Sequence, residues 1–116
     1  MTFLDAHRAD LAHRHYVRNA RSWNSWFDLS QSRIHDFQKR YGDDFCIVLN
    51  GSDDQDDLYV IPYSIARRAL QTDLLDHRRR WVGFVRGDKL RINNARRKLP
   101  LGPFHNAYDL LEWFSD

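Results

Sequence analysis

Phe45-Cys46-Ile47-Val48-Leu49-Asn50-Gly51-Ser52-Asp53-Asp54-Gln55-Asp56-Asp57-Leu58-Tyr59-Val60-Ile61-Pro62 is the stretch from which the fold class follows. Five apolar residues run without interruption from Phe45 to Leu49, too short for a buried helix and rich in β-branched and aromatic types. Asn50-Gly51 opens a turn that continues through six polar residues, and Leu58-Tyr59-Val60-Ile61 resumes the apolar run. Pro62 lacks an N–H and ends the second run. Two strands joined by a long acidic tip, a hairpin, are predicted.

Upstream the period is helical. Ser30 precedes Ile34, Phe37 and Tyr41 at helical spacing, and Gly42 follows, so a capped helix is predicted there. Thr2-Phe3-Leu4-Asp5 has the form of a capping box, and no Gly or Pro occurs before Gly42. An earlier helix over 3–20 is therefore expected, with Leu4, Leu11, Ala12, Tyr16 and Val17 facing the core. Arg8, Arg14, Arg18 and Arg21 would form a basic face on it. Trp23, Trp26 and Phe27 are expected to pin the connection between the two helices.

Downstream, Ser64 is a candidate cap for a short helix holding Ile65, Ala66, Ala69 and Leu70. Arg80 to Arg86 alternates, with Trp81, Gly83 and Val85 on one face and Val82, Phe84 and Arg86 on the other. Gly87-Asp88 turns the chain, and Leu90 and Ile92 share the inner face of the return strand, leaving Lys89, Arg91 and Asn93 outside. Asn106 is the expected cap of a terminal helix carrying Leu110, Leu111, Trp113 and Phe114. The predicted fold is α+β in one domain, residues 1–116. It comprises two N-terminal helices, a mostly antiparallel sheet of four strands in two hairpins with a short helix between them, and a C-terminal helix.

Charge is segregated along the chain. Residues 64–98 carry eleven Arg or Lys against three Asp, net +8, while residues 43–57 carry six Asp and no cation, although the whole chain is only +2. Fifteen of the eighteen cations are Arg, whose planar fork binds phosphate through two parallel hydrogen bonds and stacks on bases. The single cysteine, Cys46, excludes an internal disulfide framework. With no long apolar stretch and no signal-like N-terminus, a cytoplasmic location is expected.

These features favour a nucleic-acid-binding module, with double-stranded DNA the expected partner. Arg78, Arg79 and Arg80 lead into the second hairpin, Arg86 and Lys89 sit at its tip, Arg91 on its outer face, and Arg96, Arg97 and Lys98 leave it. Alternate strand residues are about 6.6 Å apart, commensurate with phosphate spacing along one strand. Asn93 is a candidate for base edges and Trp81 a candidate stacking platform, with a place in the core as the competing role for the indole. Two alternatives stand beside this one: a protein-interaction module (immunity, inhibitor or regulatory protein) using the acidic loop 53–57 or the Arg surface, and a small metal-dependent nuclease.

Enzyme chemistry finds little support. His13 and His15, two apart on a helix, diverge by about 200°. His77, Asn94 and His105 follow the order of an HNH nuclease, but Leu99-Pro100-Leu101-Gly102-Pro103 stands where that motif needs a helix. The only Glu is Glu112, and a Cys46 thiol inside an apolar strand would be inert. No catalytic residue, metal site or cofactor is expected. The acidic loop lacks the alternating acids, central Gly and distal Glu of an EF-hand.

Asp57-Leu58-Tyr59-Val60-Ile61-Pro62-Tyr63, followed by Arg80-Trp81-Val82-Gly83-Phe84-Val85 and Leu90-Arg91-Ile92, resembles the small α+β DNA-reading domains that accompany HNH-type nucleases in bacterial restriction-like proteins. The likeness spans roughly residues 55–111 and concerns spacing and residue type. It implies a DNA-recognition module without its own active site, with a nuclease domain or partner protein as its companion.

Overall fold

The structure, a computed structural model, describes residues 14–19, 26–50 and 58–114. Among the described residues, seven strands and three α-helices follow in the order β1 (His15–Asn19), β2 (Trp26–Ser30), α1 (Gln31–Tyr41), β3 (Cys46–Asn50), β4 (Leu58–Pro62), α2 (Tyr63–Ala66), β5 (Arg80–Arg86), β6 (Lys89–Ile92), β7 (Leu99–Pro100) and α3 (Tyr108–Trp113). The strands form two sheets, β1-β3-β4 and β2-β5-β6-β7. Every pairing is antiparallel except β1 with β3. The α+β class and both expected hairpins are present, as β3–β4 and β5–β6.

The first expected helix does not extend through its predicted end. Its last part, His15–Asn19, is a strand lying parallel to β3, with His15 opposite Cys46 and Tyr16 opposite Ile47. Tyr16 and Val17 are good strand formers, and here their faces separate: Tyr16 joins the main core, while Val17 packs with the second cluster. Residues 3–13, with Leu4, Arg8 and Leu11, lie outside the described residues, as do Arg21, Trp23 and the acidic loop 53–57. The connection assigned to Trp26 and Phe27 is also a strand, β2, in which Phe27 and Leu29 alternate into the core. The sheet of four strands is therefore two sheets of three and four.

The remaining helices sit close to their predicted places; α1 has its expected ends and the later two have different caps. On α1 the Ser30 hydroxyl accepts from the Arg33 N–H at 3.4 Å, and the Gly42 N–H closes the last turn on the Gln38 carbonyl. α2 begins at Tyr63, after Pro62, so Ser64 lies inside it. At α3 the cap position is Ala107. Asn106 instead ties β4, its side-chain oxygen accepting from the Leu58 N–H at 3.0 Å.

The three-stranded sheet occupies the middle of the molecule. One face, with Tyr16, Ile47, Leu49 and Ile61, meets Phe27, Leu29, Trp81, Leu90 and Ile92 of the four-stranded sheet. The other face, with Cys46, Val48, Leu58 and Val60, is covered by Leu111 and Phe114 around α3. A run of stacked rings, Tyr16–Phe37–Phe45–Tyr63, with centroids 5.6, 5.2 and 4.6 Å apart, locks β1, α1 and the entry to α2 together. At the far hairpin turn, Tyr59 donates to the Asp88 carboxylate at 2.6 Å, joining the two sheets.

Candidate nucleic-acid interface

The four-stranded sheet has an inner face and an outer one, and the register decides which charges share the outer one. Residues opposite each other on antiparallel strands project to the same side. Ser30 pairs with Arg80, Trp26 with Phe84, Phe84 with Arg91, and Arg86 with Lys89. Arg80, Arg86, Lys89 and Arg91 therefore project from one face, as the sequence parity predicts, around the half-buried Trp26, Val82 and Phe84. The Trp26 and Phe84 rings meet at 5.0 Å, and the Arg86 guanidinium lies 5.4 Å from the Phe84 centroid. Asn93 is exposed just beyond β6, its N–H donating to the Val82 carbonyl at 2.8 Å.

Antiparallel pairing also gathers the charge along the strands. The start of β5 lies beside the end of β6, so Arg78, Arg79 and Arg80 come to the same end of the ribbon as the 93–98 loop. Arg86 and Lys89 flank the turn at the other end, six residues or about 20 Å away, with Arg91 between.

At the first end lies an open cavity of about 510 Å³ between the turn after α2 and the loop joining β6 to β7. Arg68, Arg96, Arg97 and Lys98 line it above an apolar floor of Ala69, Leu74, Ala95 and Leu99, with Asp73 the one carboxylate. Asn94, at the entrance of the loop, is in the left-handed region with φ 68°, a conformation Asn tolerates better than most residues.

Trp81 anchors Gln71 at the wall of this cavity and does not offer a stacking surface. It is 4% exposed, and its indole N–H donates to the Gln71 carbonyl at 2.7 Å, which holds the turn carrying Arg68 against the sheet. A base cannot reach a ring buried in that way. The core role therefore replaces the stacking role that the sequence allowed.

The candidate cations divide by what their side chains already hold. Arg80 donates to the Asp28 carboxylate at 2.6 Å, as Arg18 does to the same carboxylate. Burial tends to raise the Asp28 carboxyl, but hydrogen bonds and charge from Arg18 and Arg80 outweigh it and hold it below the usual aspartate value. Arg78 sits 3.5 Å from Asp76. Asp76 also accepts from the backbone N–H groups of Arg78 and Arg80 at 2.8 and 3.1 Å, closing the turn into β5. Desolvation would raise the Asp76 carboxyl; the two backbone bonds, with the charges of Arg78 and His77, more than offset it and leave it lowered. By contrast Arg68, Arg79, Arg86, Lys89, Arg91, Arg96, Arg97 and Lys98 form no ion pair with a described residue.

Arg68 is not among the residues that the sequence singles out. Its signal is the Arg67-Arg68 pair, but Arg67 is engaged with Asp43 at 3.0 Å, and only the tertiary fold carries Arg68 to the 94–99 loop.

Of the residues considered for catalysis, Asn94 lines the basic cavity and His77 adjoins Arg78 at the same end of the sheet. Burial pushes the Cys46 thiol up to about 12, with the Arg14 charge opposing only weakly. His77 is exposed in the turn before β5, and His105 packs on the Tyr59 ring at 4.9 Å. Among the described residues no three His, Cys, Asp or Glu side chains gather where one metal ion could be held. No helix among them is long and apolar enough to cross a membrane.

Comparison with protein-family models, with curated proteins and with solved structures returns no match.

Proposed function

We propose that the chain binds nucleic acid, with double-stranded DNA as the preferred form, through the basic end of the four-stranded sheet. The observation that carries this is the convergence of Arg68, Arg96, Arg97 and Lys98 on one cavity, none of them ion-paired with a described residue. Three guanidinium groups and one ammonium against the single carboxylate of Asp73 favour an anion in this concavity, and phosphodiester oxygens fit the forked Arg donors. The outward Arg91 and the distal Arg86 and Lys89 extend the contact along the ribbon by about 20 Å. That is the reach of several phosphates along one strand. β5 and β6 are the inner strands of the four-stranded sheet, so their outer face would lie along the phosphate backbone, with Asn93 at its edge. Arg78 and Arg80 act mainly on the protein itself, through Asp76 and Asp28.

Fluorescence anisotropy of labelled duplex DNA, single-stranded DNA and RNA across a salt series tests the proposal. The expected outcome is tightest binding to duplex, with log K falling linearly against log salt. No binding of any of the three at low salt would remove it.

A protein partner is a second reading, favoured by Trp113. This indole is 71% exposed on α3 next to Glu112, with Tyr108 also exposed. Exposed Trp residues are frequent binding hot spots. Trp113→Ala is expected to leave nucleic-acid affinity unchanged; loss of one co-purifying protein in that variant would support this reading.

A further inference from the structure

A second cavity, of about 590 Å³, lies between β1 and the first turn of α1. Three guanidinium groups from three elements line it: Arg18 of β1, Arg33 of α1 and Arg80 of β5, with the hydroxyls of Ser30 and Ser32. We infer that this cavity is a site for a phosphate monoester, separate from the groove proposed to hold phosphodiesters.

Among the described residues Asp28 is the one carboxylate bound to these arginines. Its two oxygens take one hydrogen bond each from Arg18 and Arg80, and its carbonyl takes another from the Arg18 Nε–H at 2.9 Å. Both guanidinium groups are thereby fixed within one carboxylate's width of each other. A guanidinium has five N–H donors, so each keeps donors for a ligand. Arg33, exposed at the mouth, forms no ion pair with a described residue. Three cations against one carboxylate leave an excess of two positive charges, which matches the charge of a monoester dianion; its three free oxygens can each take a forked donor. A phosphodiester carries only one charge and two free oxygens.

The α1 terminus itself contributes little. The Gln31 N–H is held by the Arg79 carbonyl at 3.2 Å and the Arg33 N–H by the Ser30 hydroxyl. The side chains therefore carry the site. Because Asp28 holds two of them in advance, little ordering remains when the anion arrives. Such a monoester occurs at the end of a nucleic-acid strand and on phosphorylated small molecules such as nucleotides.

The test uses the full chain and three probes: inorganic phosphate, a nucleoside 5′-monophosphate against its nucleoside, and an oligonucleotide with and without a 5′-phosphate. Each phosphorylated probe is expected to bind about tenfold more tightly than its unphosphorylated partner, the scale of one charge-assisted contact. Arg33→Gln, at an exposed position that spares the fold, should abolish that ratio. Arg40→Gln removes the same charge two turns along α1, about 10 Å away, and should keep it. A preference seen for the oligonucleotide assigns the site to strand ends. A preference confined to the mononucleotide and inorganic phosphate assigns it to small molecules. Equal binding within both pairs, with no response to inorganic phosphate, would overturn the inference, as would a ratio that survives Arg33→Gln. Replacing Arg96 and Arg97 by Ala should weaken both oligonucleotides equally, so the two sites fail independently.

Discussion

In the β3–β4 hairpin every described side chain from Cys46 to Leu49 is at most 1% exposed, and those from Leu58 to Ile61 at most 5%. In the β5–β6 hairpin exposure alternates: Trp81, Leu90 and Ile92 are buried, while Arg86, Lys89 and Arg91 face outward. Both are antiparallel strand pairs within larger sheets, and the difference lies in what covers them. The first is sandwiched between the other sheet and α3, so each position answers to packing. The second has one packed face, which frees the other for charge. A function carried by phosphate contact can therefore reside in the second hairpin and its loops, and substitutions should split along the same line: stability in the first, binding in the second.

Leu49→Ala is the strongest test of the first half of that division. The side chain is fully buried, and truncation there should cost about 2–5 kcal/mol, including the cavity left behind. Urea unfolding would show it as a lower midpoint with an unchanged slope. A loss under about 1 kcal/mol would mean that the central sheet is not packed on both faces as described.

Gly83→Ala probes the inner face of the second hairpin, where the two cases should agree. A Cβ at Gly83 would lie 2.6 Å from the Arg91 carbonyl oxygen and 3.0 Å from the Ile92 Cδ1, so β5 and β6 must part or shift. The expected cost is about 1–3 kcal/mol. Because Arg91 would move with the strand, DNA affinity should fall in the same variant.

Both hairpins were legible in the sequence, and the strands beside them were not. Continuous apolar runs and alternation are local signals, so Phe45–Leu49 and Arg80–Arg86 announced themselves, as did the Gly87-Asp88 turn, where both residues take positive φ. β1 and β2 did not. His15–Asn19 is five residues with one clear β-former pair, and its pairing with β3 is parallel, set by residues some thirty positions away. In the absence of Gly or Pro, that stretch is equally consistent with helix. The site follows the same pattern. Parity placed Arg86, Lys89 and Arg91 on one face, but ion pairing is tertiary. That Arg80 serves Asp28 on β2, or that Arg68 meets the 94–99 loop, depends on elements distant in the chain.

The charges themselves divide again between those bound to carboxylates and those facing outward. Replacing Arg96 and Arg97 together by Ala should leave the unfolding midpoint within about 0.5 kcal/mol of the parent. Duplex affinity should fall about tenfold or more, with the salt slope reduced by about 2, near one unit for each phosphate no longer neutralised. Asp28→Asn should do the reverse. It removes the acceptor of Arg18 and Arg80 and should cost about 1–2 kcal/mol at neutral pH. Because the folded carboxyl lies below its ordinary value, that stabilisation is present above the unfolded value of about 3.9 and is lost as pH falls through the folded one. The stability difference between parent and Asp28→Asn should therefore be full at pH 7 and close in strong acid; a gap independent of pH would mean that the ion pair is not its source.

Arg79 belongs to the second region by charge yet is constrained like the first. Its backbone sits in the left-handed region with φ 61°, a conformation that costs a side-chain-bearing residue roughly 1–2 kcal/mol. Its N–H and carbonyl are both engaged, with the Asp76 carbonyl at 3.0 Å and the Gln31 N–H at 3.2 Å, so the turn holds the residue there. Arg79→Gly relieves the steric strain and loosens the unfolded chain, two effects that oppose each other. The net change in stability should stay within about 1 kcal/mol of zero. The guanidinium makes no ion pair with a described residue, so its removal should still weaken DNA binding severalfold and lower the salt slope by about 1. If Arg79→Gly leaves both the midpoint and the slope unchanged, the arginine at this strained position contributes no phosphate contact, and the basic surface contracts to the groove and the outer face of the hairpin.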